Sequence, residues 1–410
     1  MGAIGGLLVW AAQAALASNL GDLLGQADQV KISDHAEFRR LLKTIDAHAS
    51  ELSGAEREYF DYLQGYASAY DGDYEVAIKK LAALQDSARD ITIRFRAGAT
   101  VVNSLSLHKR YKESYSRLNT FLVLLPRVTN GEARQQGMLI AAFSYMDIGQ
   151  YQLSLRLAQT IIDENWAGKG VCRGGQVKVR ALYLSRKLQE AGPDMQAALD
   201  ACAKAGEIAF ENAIPLEPAR AYLRRKQYDE VIALLTGHYD DVLKIGYRLV
   251  ISEYDSLLAQ AYRGKSSSPM ARKLALEAIQ NTDADQFTEP LADAYSVLYE
   301  LAKDEGDFKS ALAFHEQYAT ANRGYLDDDR ARHLAFQSVS RQSSSDQLQI
   351  EAQSEQNRES QLRRELDAKA AETTRLHITL LVLVVLFAGF WIYLARRSNL
   401  HLTSNSQFDS

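Results

Sequence analysis

The chain has 410 residues, of which 47% are hydrophobic, with 47 Lys and Arg against 52 Asp and Glu, for a formal charge of −5. No block of basic residues stands out, so the electrostatic footprint of a nucleic-acid binder is missing and nucleic acid is excluded as a partner. Only six prolines occur, while alanine, leucine, glutamate, glutamine and arginine are plentiful, so the predicted class is all-α.

Residues 1–17 form a short apolar run ending in Ala15-Leu16-Ala17, the small-x-small pattern of a signal-peptidase site. The run holds no Lys or Arg, so an uncleaved anchor and a plain first helix stay open beside a cleaved signal peptide. A helical pattern from Asp34 to Ala49 supplies an N-terminal capping element. From 18 to 325 the chain repeats itself. Between Leu63 and Leu84, Gly65 is a small residue in a first helix, Gly72-Asp73-Tyr74 is a turn, and Ala77 is the contact in a second helix. The register recurs at Tyr111, Ser114, Leu118 and Phe121, which Pro126 stops, and at Gly149, Tyr151, Ser154 and Ala158. It recurs again at Tyr222, Tyr228 and Leu235, at Tyr262, Ala271, Ala275 and Ala278, and at Gly306, Phe308, Ala311 and Tyr318. A degenerate unit around Gly192 and Ala197 fills the gap. Second-helix contacts are therefore expected at 77, 114, 154, 197, 231, 271 and 311.

These units resemble the tetratricopeptide (TPR) superfamily over about residues 30 to 325. The resemblance implies a TPR-type α-α superhelix, a solenoid whose concave groove is lined by the first helices. By that resemblance the groove positions of the first clear repeat are Tyr59, Tyr62, Tyr66 and Tyr70, with Leu139 and Phe143 corresponding two repeats later. Spacings of three, four and four residues put the four tyrosines on one helical stripe. Large rigid rings with polar tips suit a protein or peptide ligand; packing of the same rings on the N-terminal capping helices is the alternative. The Lys/Asn pattern by which some TPRs clamp a C-terminal carboxylate is absent.

A long polar helix follows over 326–375. Its best heptad seam is Leu348, Ala352, Glu355, Glu359, Leu362, Leu366, Lys369, Thr373 and Leu376, with charges at three positions. It reads as a coiled-coil-like stalk for a parallel homodimer, or as a lone solvated helix. Residues 376–395 then contain no Asp, Glu, Lys or Arg and are long enough for a hydrocarbon core of ~30 Å. Trp391 and Tyr393 suit an aromatic belt, and Arg396-Arg397 follow at once. Arg358, Arg363, Arg364, Lys369 and Arg375 outnumber that downstream pair, which taken alone would leave the large domain in the cytoplasm. Long domains translocate largely regardless of charge, so the signal sequence decides. The expected location is the bacterial inner membrane, single-pass, with the large domain periplasmic and the C-terminus cytoplasmic.

No catalytic motif or cofactor site is found. Arg263-Gly264-Lys265-Ser266 has part of a phosphate loop, but Ala259 stands where the first glycine belongs and the setting is a turn between helices. The eight histidines are scattered without metal spacing, and His315 takes a packing position in a second helix. Cys172 and Cys202 bracket the degenerate unit at helix ends that meet, so a disulfide is feasible; two separate buried thiols are the alternative.

Repeats, long helix, span and short basic tail together resemble the sensory half of bacterial membrane signalling proteins whose outputs are GGDEF diguanylate cyclases or histidine kinases. In GGDEF proteins a segment resembling Asp-x-Leu-Thr-Gly-Leu-x-Asn-Arg-Arg opens the catalytic domain, and Asp409 would take its first place. That resemblance implies a sensory input module, not itself an enzyme, whose tail at 396–410 begins a missing output domain. A periplasmic scaffold or chaperone-like TPR protein and a tail-anchored cytoplasmic TPR adaptor are the alternatives.

Overall fold

A computed structural model of the chain describes residues 20–32, 34–187, 192–283, 286–342, 358, 360, 361 and 388–394. The chain forms two units, Met1–Val339 and Ser340–Ser410, and the helical stack is the first. It opens with α1 (20–30) and α2 (His35–Asp46). Antiparallel pairs follow: α3 (Gly54–Tyr70) with α4 (Tyr74–Ser87), α5 (Ile91–Leu107) with α6 (Tyr111–Leu122), and α7 (Gly131–Met146) with α8 (Tyr151–Glu164). Next come α9 (Gly170–Leu184) with α10 (Gly192–Ala205), and the short α11 (Ile208–Ala213) and α12 (Leu216–Arg224) with α13 (Tyr228–Ile245). The stack ends with α14 (Arg248–Gly264), α15 (Ser268–Gln280), α16 (Glu289–Asp304) and α17, which starts at 308. No strand occurs among the described residues.

One turn recurs in every pair. Gly72, Lys109, Gly149, Arg186, Lys226, Ser266 and Gly306 all adopt left-handed backbone, with φ from 59° to 86°. The N–H of the following residue donates to a carbonyl five residues back: Asp73 to Ser68, Arg110 to Leu105, Gln150 to Tyr145, Lys187 to Leu182, Gln227 to Tyr222, Ser267 to Tyr262 and Asp307 to Ala302, at 2.7–3.0 Å. This Schellman closure satisfies carbonyls at the end of the first helix and sends the chain back along it.

Small residues then let the helices touch. A Cβ on Gly65 would lie 2.6 Å from the Leu81 side chain, and one on Gly174 only 2.7 Å from the Ala158 carbonyl oxygen. Gly65 therefore meets Leu81, one turn beyond the expected Ala77. Of the expected second-helix contacts, Ala77, Ser114, Ser154, Val231, Ala271 and Ala311 are buried. In α10 the buried residue is Ala198 instead of Ala197, because Ala198 faces Gly175. Aromatic rings at the start of second helices staple one pair to the next: Tyr74 lies 6.1 Å from the His108 ring, and Tyr228 covers Gly264. Phe308 holds the same place in the last pair and is 73% exposed. His315 is exposed too, its ring edge-on to Tyr299 at 5.0 Å, and not in a core.

The stack curls round far enough for its last helix to meet its early pairs. Tyr111 donates to Asp328 (2.6 Å), Arg332 sits over the Tyr111 ring, and Tyr115 packs on Phe336 at 5.6 Å. Val339 joins the core of Phe95 and Phe121. Phe287, in the loop before α16, packs on Gly324 and lies under the Lys109 ammonium. Residues 327–339, expected to begin a stalk, thus lie against α6.

The expectation of a single-pass inner-membrane protein is corrected: no helix among the described residues is long and apolar enough to cross a membrane. Of the run 376–395 only 388–394 are described, as a helical stretch rising about 10 Å, a third of what a hydrocarbon core needs. The signal-peptide region, all nine seam positions of the proposed homodimer and the tail at 396–410 lie outside the described residues.

Two outcomes are expected from these features. A side chain at left-handed φ costs about 1 kcal/mol relative to glycine, so Lys226→Gly and Ser266→Gly should each raise stability by roughly 0.5–1 kcal/mol in urea melts. Unchanged or lower midpoints would mean the turns carry no such strain. Cys172 and Cys202 are fully buried in α9 and α10, joined with their Cα atoms 4.7 Å apart. Closing that loop stabilises by roughly 3.6 kcal/mol in the chain-entropy estimate, so dithiothreitol should lower the melting temperature by several degrees. Alkylation of both thiols without reduction would rule the bridge out.

Candidate functional site

The first helices lie side by side, and each carries a stripe of residues three or four apart on the same side. On α3 the stripe is Tyr59, Tyr62, Tyr66 and Tyr70; on α5 it centres on Arg96, and on α7 on Gln136. On α9 it is Arg173, Gln176, Arg180 and Tyr183; on α12, Glu217, Arg220 and Arg224. On α14 it is Glu253, Ser256, Gln260 and Arg263, and on α16 Glu289, Asp293, Ser296 and Glu300.

The N-terminal end of this row is filled from within the chain. Asp28 of α1 receives Arg96 on both carboxylate oxygens (2.5 and 2.9 Å), Tyr59 Oη (2.9 Å) and Lys31 (2.7 Å). Arg96 is itself held by Gln136 (3.3 Å) and by the Tyr62 ring 4.5 Å away. Burial alone would raise the Asp28 carboxyl; Arg96 and Lys31 outweigh it and hold it well below the usual carboxylate range. Tyr62 is fully buried, Tyr59 and Tyr66 are half-buried, and Tyr70 is exposed and stacked on His35 at 4.0 Å. Lys31 lies over Tyr66, whose hydroxyl is pushed above its ordinary value, first by burial and then by Tyr62.

Leu139 and Phe143 are elsewhere: they pack with Met138, Ala158, Ile161 and Val177 in a core between α7, α8 and α9. What joins the tyrosines from α7 is Gln136, 3.3 Å from Tyr62 Oη. Asp28, Arg96 and Gln136 were not singled out from sequence. Arg96 carried a signal, a cation inside the apolar run of α5; Asp28 and Gln136 carried none.

The C-terminal half of the row is a chain of charges. Arg220 donates to Glu217 (3.1 Å) and Glu253 (3.1 Å), Arg180 lies 3.6 Å from Glu217, and Arg224 donates to Tyr183 (2.5 Å). Gln260 donates to Asp293 (3.0 Å) and Arg263 to Glu300 (3.2 Å). Burial raises the Glu217 carboxyl against Arg220 and Arg180. Burial, then Glu289, pushes Asp293 up to about 7. Four buried polar atoms on these stripes have no hydrogen-bond partner among the described residues: Gln176 Oε1, Glu217 Oε2, Ser256 Oγ and Arg263 Nε. Burial, and then Glu289, raise the Tyr325 hydroxyl of α17 above its ordinary value. No group of His, Cys, Asp or Glu among the described residues could hold a metal ion.

No protein-family model matches the sequence, and no curated protein matches it. Among solved structures, a Rap protein complexed with Competence and Sporulation Factor is similar over 75% of this chain and 86% of its own, with TM-score 0.55 and 13% identity. NprR in complex with its cognate peptide NprX is similar over 82% of this chain and 89% of that one, with TM-score 0.48 and 12% identity. The apo form of NprR from B. thuringiensis gives TM-score 0.46 and 12% identity over 78% and 81%. The likeness to the Rap protein shows the fold, a TPR-type helical repeat.

The Asp28 cluster yields a sharp expectation. Asp28→Asn leaves Arg96 buried without its counter-charge and should cost about 3 kcal/mol or more. Asp28→Leu with Arg96→Met and Lys31→Met, which removes all three charges, should recover most of that loss. Because the folded carboxyl lies below its unfolded value of about 3.9, its stabilisation is fully present above that pH and shrinks as pH falls below it. Urea melts at neutral pH that give Asp28→Asn the parent midpoint would show that the ion pair holds nothing.

Proposed function

We propose that the chain is a peptide- or protein-binding module of helical-repeat type, with the stripes of α9, α12, α14 and α16 as its contact surface. The observation that carries the reading is the row of accessible polar side chains on successive first helices: Arg180 on α9, Arg224 on α12, Gln260 and Arg263 on α14, and Glu289 on α16. An extended peptide repeats one N–H and one C=O at every residue, so it meets acceptors and donors alike along a row of helices. The similar Rap structure carries Competence and Sporulation Factor, which supports a ligand-binding role for this fold without fixing the ligand. The charges on the row balance, with Arg173, Arg180, Arg220, Arg224 and Arg263 against Glu217, Glu253, Glu289, Asp293 and Glu300. Recognition therefore rests on hydrogen bonds more than on net charge.

An output domain of GGDEF type is not required by this reading. The residue that suggested it, Asp409, lies outside the described residues.

Selection of phage-displayed random peptides on the folded chain tests the reading. Enriched peptides should bind the parent and lose at least tenfold in affinity for Gln260→Ala with Arg263→Ala, with helical circular dichroism and melting unchanged. Failure to enrich any peptide, or equal binding to that variant, would sink it.

A further inference from the structure

Two neighbouring turns carry cations that the chain leaves unpaired. The turn after α9 holds Arg186 and Lys187, and the turn after α12 holds Arg225 and Lys226. Arg224, the last residue of α12, joins them. It donates to the Tyr183 hydroxyl of α9 (2.5 Å), with its guanidinium carbon 4.6 Å from the centre of that ring. The contact sets the two turns side by side on one rim of the stack. All five cations are exposed, and none has a carboxylate at ion-pair distance among the described residues.

The acids that begin the next helices are engaged elsewhere. Asp194 of α10 pairs with Lys178 (2.8 Å), Asp229 of α13 pairs with Lys265 (2.9 Å), and Glu230 accepts from Gln227 (3.4 Å). On the row itself arginines are matched, Arg173 to Glu207, Arg220 to Glu217 and Glu253, and Arg263 to Glu300. Two of the rim cations also sit on strained backbone. Arg186 and Lys226 have φ of 62° and 59°, where equivalent turns use Gly72, Gly149 and Gly306. Cations favour helix C-termini, yet the glycine turns close the same kind of helix end without one. A strained side chain kept where glycine serves as well points to a role other than closing the turn.

We propose that this rim binds an acidic stretch of a peptide or protein, whose Asp and Glu side chains meet Arg186, Lys187, Arg224, Arg225 and Lys226. The inference deepens the peptide-binding reading above and rests on it for the class of ligand. Arg224 ends the α12 stripe, so a chain lying along the row reaches the rim at that point. The row is balanced in charge; the rim is not, and it supplies the steering and register that the row lacks. Tyr183 is a positioning residue: its ring holds the Arg224 guanidinium flat, and the other guanidinium nitrogens have no partner among the described residues. Five cations over two turns exceed what one C-terminal carboxylate needs, so side-chain carboxylates are the match. A cluster this small, in a chain of net charge −5, suits a short acidic segment better than a nucleic acid.

Fluorescence anisotropy of fluorescein-labelled octaglutamate with the purified full chain tests the proposal. Octaglutamate should bind and octaserine should not, and the affinity should fall about tenfold between about 50 and about 300 mM sodium chloride. Arg186→Gln with Arg224→Gln and Lys226→Gln should weaken binding roughly tenfold. Lys79→Gln with Lys112→Gln and Arg127→Gln, which removes the same charge from exposed positions on earlier pairs, should leave it unchanged. Lys226→Gly alone should weaken binding about twofold while raising the urea midpoint, which separates lost contact from lost folding. No binding of octaglutamate, equal loss in both triple variants, full binding by the rim variant, or tighter binding of an oligothymidylate of equal charge would overturn it. Octaglutamate binding by a chain that enriches no library peptide would keep the rim and lose the row, and enrichment without octaglutamate binding would do the reverse.

Discussion

The left-handed turn between paired helices is the constraint on which the stack depends. Each occurrence, 37 or 40 residues after the last, ends a first helix at one carbonyl pattern and returns the chain along it. The return fixes which residues face each other, and that in turn demands glycine at Gly65 and Gly174. With every pair closed by the same turn, the stripes of the first helices fall into line. Arg220 can then reach Glu253, and Gln260 can reach Asp293, each 33 residues away.

Much of this was legible. The turns at Gly72, Gly149 and Gly306 were visible because glycine advertises left-handed backbone. Lys109, Arg186, Lys226 and Ser266 do the same work with residues that give no such signal, so period and aromatic spacing had to locate those pairs. Ala197 and Ala198 show a second limit: two adjacent alanines fit the pattern equally well, and only Gly175 across the interface separates them. The tyrosines of α3 announced themselves by spacing, but spacing says nothing of what lies opposite. Asp28 is 31 residues from Tyr59 and 68 from Arg96, distances over which no local pattern acts. Hydropathy near 376–395 spoke for a membrane helix, and the described structure has no helix able to serve as one.

Buried charge is handled in three ways along the molecule. Asp28 is surrounded by cations and hydroxyl, so every lone pair finds a partner. Glu217 shares Arg220 and Arg180 and keeps one oxygen unpaired. Asp255 has donors, Tyr239 and Asn281, but no cation at ion-pair distance among the described residues. A fully paired cluster adds little net stability over apolar packing, yet it admits only one arrangement of α1 against α3 and α5. Such complete pairing gives the Asp28 cluster an architectural role at its end of the stack.

A linear array of helix pairs behaves as a sum of neighbours: its ends fray, and a defect in one unit is felt only next door. The clasp of Tyr111 by Asp328, and of Tyr115 by Phe336, joins units far apart in sequence and makes a ring of what would be a chain. Fraying of the last pair must break contacts in the second, so the C-terminal unit is no longer free to open alone. Loss of order then spreads as a single cooperative event, and strain introduced at any unit is shared around the loop.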